Sequence, residues 1–473
     1  MEHKNVWPDY AADDLNAVHE LAQNYKTFIS TCKTERECCA FAIKAAREAG
    51  YISLEEAREN GRKLQAGDKI YAQSYGKTII MAHIGKKPLE EGLNILGAHI
   101  DSPRLDIKQN PLYEAGGFAL MDTHYYGGIK KYQWVTLPLA IHGVIAKKDG
   151  TVLPVNIGED VNDPAFCISD LLIHLAADQM KKNAATVIEG EDLDVLVGGK
   201  PAAKPTEGEE TDEDLAKLIE KEPVKAHILA LLAEKYGMEE EDFLSSELEV
   251  VPAGPARDLG LDRSMILGYG HDDRVCAYPS LIAQLEAKDL ERTGICILVD
   301  KEEIGSVGAT GMTSNFFENT IAELIALEGE GGDLQLRRCL ANSNMLSSDV
   351  SAGFDPTYAA AFEAKNAAKL GHGIVYNKFT GSRGKSGSND ANAEYMAKIR
   401  AIMEKGDAAF QTAELGKVDV GGGGTIAYIL AKYGMNVIDA GVAVLNMHAP
   451  WEIADKADLY EALKAYRAFL KYA

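Results

Sequence analysis

Ile295-Cys-Ile-Leu-Val-Asp-Lys-Glu-Glu-Ile-Gly-Ser-Val-Gly308 is a short apolar run that ends in Asp300 and delivers two adjacent glutamates into a glycine-containing turn. Its β-branched residues predict a buried strand. Glu302 and Glu303 then stand at the C-terminal end of that strand, where open α/β sheets place their sites. Neighbours on an extended chain point to opposite sides, so the two carboxylates are free to differ in role, one holding a metal and the other moving a proton. Taken alone, the stretch reads equally as a solvated charge pair following a strand. The rest of the chain decides between the two.

Working outward, four further positions place a metal-type ligand after or beside an apolar run. His99 and Asp101 follow 93–98, Asp272 and Asp273 follow 266–271, Asp349 follows 345–348, and His448 follows 440–447. Each has an ordinary reading by itself: a satisfied polar residue for His99, Asp349 and His448, a helix cap for Asp272 or Asp273. Together with Glu302 and Glu303 they form five His/Asp/Glu positions at strand ends, and such ends converge on one crevice. A mixed His/carboxylate set suits Zn²⁺, with Mn²⁺ or Co²⁺ as substitutes. The count exceeds the needs of one tetrahedral ion, so the expectation is two divalent ions bridged by a carboxylate. Metal binding lowers the pKa of a bound water toward ~7, and a nearby unligated carboxylate takes its proton.

The remaining chain frames these positions. Residues 13–50 carry helical spacing (Leu15, Val18, Leu21, Tyr25, Phe28) and a capping box at Thr34 and Glu37. A hairpin is predicted over 70–83 and a second over 139–157 around Asp149-Gly150. Residues 198–216, rich in Gly, Pro and acid, predict a mobile loop, and a helix follows with Pro223 near its start and Gly237 near its end. Strands then alternate with helices: helix 273–287, strand 294–300, helix 319–327, strand 374–379, helix 389–404, Gly421–Gly424 opening a helix, strand 436–444 and a closing helix to Lys471. The fold class is therefore α/β, a mixed sheet flanked by helices, in which 1–107 and 249–473 form one discontinuous domain and 108–248 an inserted, mainly β domain.

Composition narrows the function. A formal charge of −23 disfavours nucleic acid and anionic membrane surfaces as partners. No apolar run approaches the roughly 20 residues needed to span a bilayer, and the N-terminus lacks a signal-peptide core, so a cytoplasmic protein is expected. The seven cysteines show no C-x-x-C pair and read as reduced, buried thiols, not a disulfide framework. In Asn377-Lys-Phe-Thr-Gly-Ser-Arg-Gly-Lys-Ser, the cations Lys378, Arg383 and Lys385 form the best local cluster for an acidic side chain of a substrate, although a basic surface loop explains them as well. The glycine run 421–424 lacks the Lys-Ser/Thr of a nucleotide loop and instead suits close backbone approach.

Ala98-His-Ile-Asp-Ser-Pro-Arg, Asp272-Asp-Arg, Asp300-Lys-Glu-Glu-Ile-Gly-Ser, Ser347-Ser-Asp and Leu445-Asn-Met-His, in that order, resemble the M18 metallo-aminopeptidases, the aspartyl aminopeptidase family of the co-catalytic zinc exopeptidases. The resemblance covers nearly the whole chain. It implies that Asp272 bridges two zinc ions, through a cis peptide to Asp273. His99 and Asp349 complete one ion, Glu303 and His448 the other, Glu302 is the general base, and Asp101 orients His99. It further implies peptides with a free N-terminus as substrates, a preference for acidic N-terminal residues, and a homo-oligomer, typically a dodecamer built from dimers. In such assemblies the inserted domain makes the dimer contact and lends a histidine to a neighbour's site. His174, in Asp170-Leu-Leu-Ile-His-Leu, matches that position, and a histidine of helix surface or core is its other reading. The chain departs from the family at Lys301, where His is usual, at Asp273, where Asn is common, and after Asp349, where histidines are missing. The rival readings are a dinuclear deacylase or carboxypeptidase of related fold, and a non-catalytic assembly protein that keeps the fold.

Overall fold

The computed structural model describes residues 3–204, 213–329 and 331–473. Four apolar runs form the centre of a nine-stranded open sheet: Gly294–Val299, Asn94–His99, Asn344–Ser347 and Asn436–Gly441, neighbours in that order and mutually parallel. Almost every residue of these strands is buried. That is why they read as continuous apolar runs instead of alternating ones: parallel strands are covered on both faces. Antiparallel strands flank the centre, Thr78–His83 beside Gly294–Val299 and Ile374–Asn377 beside Asn436–Gly441. The sheet ends at Ile52–Ser53 on one side and Phe410–Thr412 on the other.

Alternate residues of each strand serve opposite faces. Leu96, Ala98, Cys296, Leu298, Leu346 and Ile438 pack with the helices Ala12–Thr31, Glu35–Glu48, His271–Glu286, Ala393–Gly406 and Lys456–Tyr472. Ile95, Ile295, Ile297, Val299, Met345 and Val437 pack with Leu54–Glu59, Phe316–Glu328, Asp333–Ala341 and Ala427–Ala431. The Thr34–Glu37 capping box closes as expected, the Glu37 amide donating to Thr34 Oγ1 at 3.2 Å and the Thr34 amide to Glu37 Oε2 at 3.1 Å. A five-stranded sheet, Arg257–Leu259, Met265–Gly268, Glu452–Asp455, Ala443–Leu445 and Ser351–Ala352, completes this unit.

The second compact unit comprises Pro103–Gly254 with His448–Pro450. Its six strands are antiparallel throughout: Val152–Ile157, Leu139–Ala146, Ser246–Pro252, Arg104–Ala115, Phe118–Tyr126 and Val195–Gly198. The helix Pro223–Tyr236 starts at its proline and ends on left-handed Gly237.

Three expectations shift. Of the loop expected over 198–216, residues 205–212 lie outside the described residues, and from 213 the chain is already the helix Glu213–Lys221. The run 436–444 is two strands in two sheets, because Gly441 passes against the Asp349 carbonyl and the chain crosses over at Val442. The glycine run opens no helix directly; the short helix Ala427–Ala431 starts after it. There a Cβ on Gly421 would lie 1.9 Å from the Leu415 carbonyl oxygen and one on Gly422 2.5 Å from Ser382 Cα, so the glycines serve close backbone approach.

Candidate active site

Because the strands ending at Val299, His99 and Ser347 are parallel neighbours, the residues just past their ends meet. Asp272 joins them from the start of the His271–Glu286 helix, whose first turn is broken by non-helical dihedrals at Asp272 and Asp273 and a cis peptide between them. Three overlapping groups bring ligand atoms within 4.8 Å of one another: His99 with Glu302 and Asp349, His99 with Asp272 and Glu303, and Asp272 with Asp273 and Asp349.

His99 lies at the centre. Its Nδ1 donates to the Asp101 carbonyl at 2.9 Å, which directs the other nitrogen into the cluster. There Nε2 lies 3.1 Å from Asp272 Oδ1 and 3.9 Å from both Glu302 Oε2 and Asp349 Oδ1. A lone pair facing three carboxylate oxygens at these distances needs a proton or a cation between them. Burial is the largest influence on the imidazole and pulls its pKa down. The hydrogen bonds and charges of Asp101, Asp272 and Glu302 together outweigh it and hold the group well above its ordinary value. Burial, with the charge of Glu302, pushes the Asp349 carboxyl well up, and burial with Asp272 and Glu302 does the same to Asp273. No oxygen or nitrogen donor among the described residues reaches either Asp273 carboxylate oxygen, and the adjacent Cys276 thiol is a weak donor. A buried set of one imidazole and several close carboxylates is the donor chemistry of a divalent zinc site, and the residues fit it.

The supports are equally specific. Asp101, fully buried, accepts the amides of Glu302 and Glu303 on its two carboxylate oxygens at 3.2 Å each, with Oδ1 3.3 Å from His99 Nδ1. Ser102 Oγ donates to the Asp272 carbonyl at 2.6 Å, and the Asp272 amide donates to Glu452 Oε2 at 3.0 Å.

The profile of the family described as Aminopeptidase I zinc metalloprotease (M18) matches residues 28–470. The chain belongs to this family. A probable M18 family aminopeptidase 1 of Clostridium acetobutylicum is 60% identical over 99% of this chain and 98% of its own length. The crystal structure of aminopeptidase I from the same organism superposes with a TM-score of 0.89 at 57% identity, covering 100% of this chain and 99% of that one. That of the M18 aminopeptidase from Thermotoga maritima gives 0.91 at 42% identity, with 100% of both chains covered. The protein is thus a zinc metallo-aminopeptidase, a peptide hydrolase, with the mixed α/β fold of M18 enzymes.

Of the positions singled out in the sequence, His99, Asp101, Asp272, Glu302, Glu303 and Asp349 come together. His448 stands outside the three groups; its Nδ1 donates to the Gly128 carbonyl at 2.8 Å within the second unit. His174 is exposed in a turn, not on a helix. Lys378 and Lys385 are both ion-paired with Asp390, the latter at 2.9 Å and 3.9 Å from the Phe379 ring centroid. Arg383 makes no ion pair among the described residues and lines a small recess with Thr380, Glu414 and Lys417. Lys301 adopts a left-handed conformation, its Nζ 3.4 Å from Asp300 Oδ2.

Asp273, singled out beside Asp272 but given no ligand role, is a further carboxylate of the cluster, and two participants were missed in the sequence: Glu452 under the Asp272 amide, and Asp439. Asp439 is fully buried beside the cluster, its carboxyl raised to about 7 chiefly by burial, and accepts from Thr425 Oγ1 at 2.5 Å. An acid inside the run 436–444 was the available signal for the last of these.

Proposed function

We propose that this aminopeptidase works with two divalent ions per chain and that Glu302 is its general base. The observation that supports the reading is that the three ligand groups overlap without coinciding: His99, Asp272 and Asp349 each belong to two of them and Glu302, Glu303 and Asp273 to one each, a donor set wider than a single ion needs. In this reading His99, Asp272 and Asp349 would hold one ion and Asp272 with Glu303 the other, to which the family resemblance adds His448. Bound there, divalent ions would supply Lewis acidity toward the scissile carbonyl and toward a water. Glu302 then takes the water's proton and passes it to the departing amine. Asp101 holds the Glu302 and Glu303 amides, which fixes the main chain that carries both side chains.

The test is Glu302→Gln. The variant retains zinc at the wild-type stoichiometry by elemental analysis, while kcat falls by about three decades, within the usual contribution of a proton-transfer group. Turnover within tenfold of wild type at full metal content would sink the assignment. A zinc count near one per chain, unchanged in His448→Ala, would refute the second ion.

A preference for acidic N-terminal residues rests on Arg383, since Lys378 and Lys385 are engaged by Asp390. Arg383→Ala then raises KM for aspartyl and glutamyl substrates and leaves leucyl substrates unaffected. The protein self-associates through its second unit, where Leu171, Leu172, Ile173 and Leu175 expose an apolar stretch around His174. The S. cerevisiae mApe1 dodecamer shares this fold at a TM-score of 0.75 and 20% identity. A cytoplasmic location accords with the absence, among the described residues, of a helix long and apolar enough to cross a membrane.

A further inference from the structure

At the outer edge of the nine-stranded sheet, beside the strand Phe410–Thr412, opens a cleft of about 740 Å³. Its charged lining is Lys365, Lys369 and Arg400, and His3 adds an imidazole. No carboxylate is among the described residues that line it, in a chain whose formal charge is −23. None of the three cations makes an ion pair among the described residues, although acids outnumber bases in the chain by 72 to 49. Glu363, two residues before Lys365, borders the cleft without lining it; its carboxylate accepts from the Lys365 amide at 3.3 Å and from Asn366 Nδ2 at 2.6 Å.

The floor is ordered. Gln411 is buried, accepts the Lys369 amide at 2.8 Å on Oε1, and donates from Nε2 to the carbonyls of Lys369 and Gly373 at 2.8 and 3.1 Å. Those bonds fix the main chain from which Lys369 projects. The His3 ring stands 6.2 Å from the Phe410 ring, centroid to centroid, adding an aromatic wall. Burial holds the His3 imidazole below its ordinary pKa and the Lys369 charge adds to the effect, against a hydrogen bond with the Phe410 backbone that raises it. Like charges gathered in a concave site without counter-ions repel one another, and the cleft focuses their field on whatever enters. The volume lies in the range of small-molecule sites.

We propose that this cleft binds a small organic or inorganic polyanion, one carrying two or more phosphate or carboxylate charges, at a site separate from the peptidase centre. Lys365, Lys369 and Arg400 take the charges, with the Arg400 guanidinium able to hold two oxygens of one group at once.

The experiment is isothermal titration of the zinc-loaded enzyme with inorganic pyrophosphate and, separately, with citrate, at matched ionic strength, with sodium chloride as the blank. Comparing the two probes distinguishes a phosphate from a carboxylate ligand. The expected result is saturable binding at one site per chain that weakens about tenfold or more in Lys369→Ala/Arg400→Ala. In that variant kcat/KM on an aminoacyl substrate stays within twofold of wild type. Because both probes also chelate zinc, metal content is measured at each end point. Saturable binding that persists in the double variant, or that tracks zinc loss, places the anion on the metal and overturns the proposal. So does the absence of saturable binding in the wild type.

Discussion

Asp101→Asn tests the geometry of the site more sharply than removal of any ligand, because it changes charge and donor pattern while keeping shape. The carboxylate accepts two amides, from Glu302 and Glu303, at 3.2 Å each. An amide side chain presents one acceptor and one donor, so one of the two peptide N–H groups then faces an NH₂ group. Losing a hydrogen bond to a charged acceptor costs about 1.5–3 kcal/mol, and reducing the other to a neutral bond costs about 1 kcal/mol more. If the turn carrying Glu302 and Glu303 relaxes by that amount before the transition state, the rate falls on the order of 100-fold, at about 1.4 kcal/mol per decade. That is also the range seen when the partners of metal ligands are changed. The assay is kcat and KM on a chromogenic aminoacyl substrate, with zinc measured on the same sample and the melting temperature as a control for folding. A variant with full zinc, a wild-type melting temperature and kcat within about threefold of wild type would show that the paired amides need no charged acceptor, and the account of Glu302 positioning would fail.

Gly441→Ala should damage the metal centre from behind, since a Cβ there would lie 1.8 Å from the Asp349 carbonyl oxygen; lowered zinc content and activity are expected, and a fully loaded, fully active variant would contradict the packing. Chelation with dialysis should abolish activity and lower the melting temperature, because the clustered carboxylates lose the cation that offsets their repulsion; an unchanged melting temperature would deny the cluster that role. Asp455 is buried at the N-terminus of the closing helix and accepts from Ala457 N at 2.8 Å and Trp7 Nε1 at 3.1 Å; burial foremost raises its carboxyl to about 6. The folded state then holds a proton that the unfolded chain releases near its ordinary value of 3.8, so this contribution to stability is full below about pH 4 and is lost as pH rises to about 6. Asp455→Asn has no such proton, so its stability relative to wild type should improve by about 2 kcal/mol between pH ~4.5 and pH ~7.5 in urea titrations; a pH-independent difference would refute the assignment.

What the sequence disclosed and what it hid divide along one physical line. Strand ends were legible because a parallel sheet buried on both faces turns its strands into unbroken apolar runs, and the polar residues within a few positions of each run's end mark the crevice; His99, Glu302, Glu303 and Asp349 were singled out that way. Buried acids within elements were not, since Glu452 and Asp439 look in sequence like solvent-facing positions and only the fold reveals an amide or a hydroxyl waiting for each. The break in 436–444 was hidden for a related reason: it is imposed by a backbone contact at Gly441, and a glycine carries no pattern that names its neighbour.

Asp101 joins the two kinds. Its place two residues past His99 marked it as the partner of that imidazole, yet the shorter bond from Nδ1, at 2.9 Å, goes to its carbonyl, while the carboxylate is given to the amides of the doubled glutamate. One residue therefore ties the end of the Asn94–His99 strand to the turn after Gly294–Val299, its neighbour in the sheet. A turn that presents two adjacent glutamates has two consecutive amides to satisfy, and a single buried carboxylate does so while leaving both side chains to the cluster. The main chain of the pair Glu302-Glu303 is thus fixed by Asp101. Shortening or recharging that one residue should degrade base and ligand together, and replacing either glutamate should not mimic it.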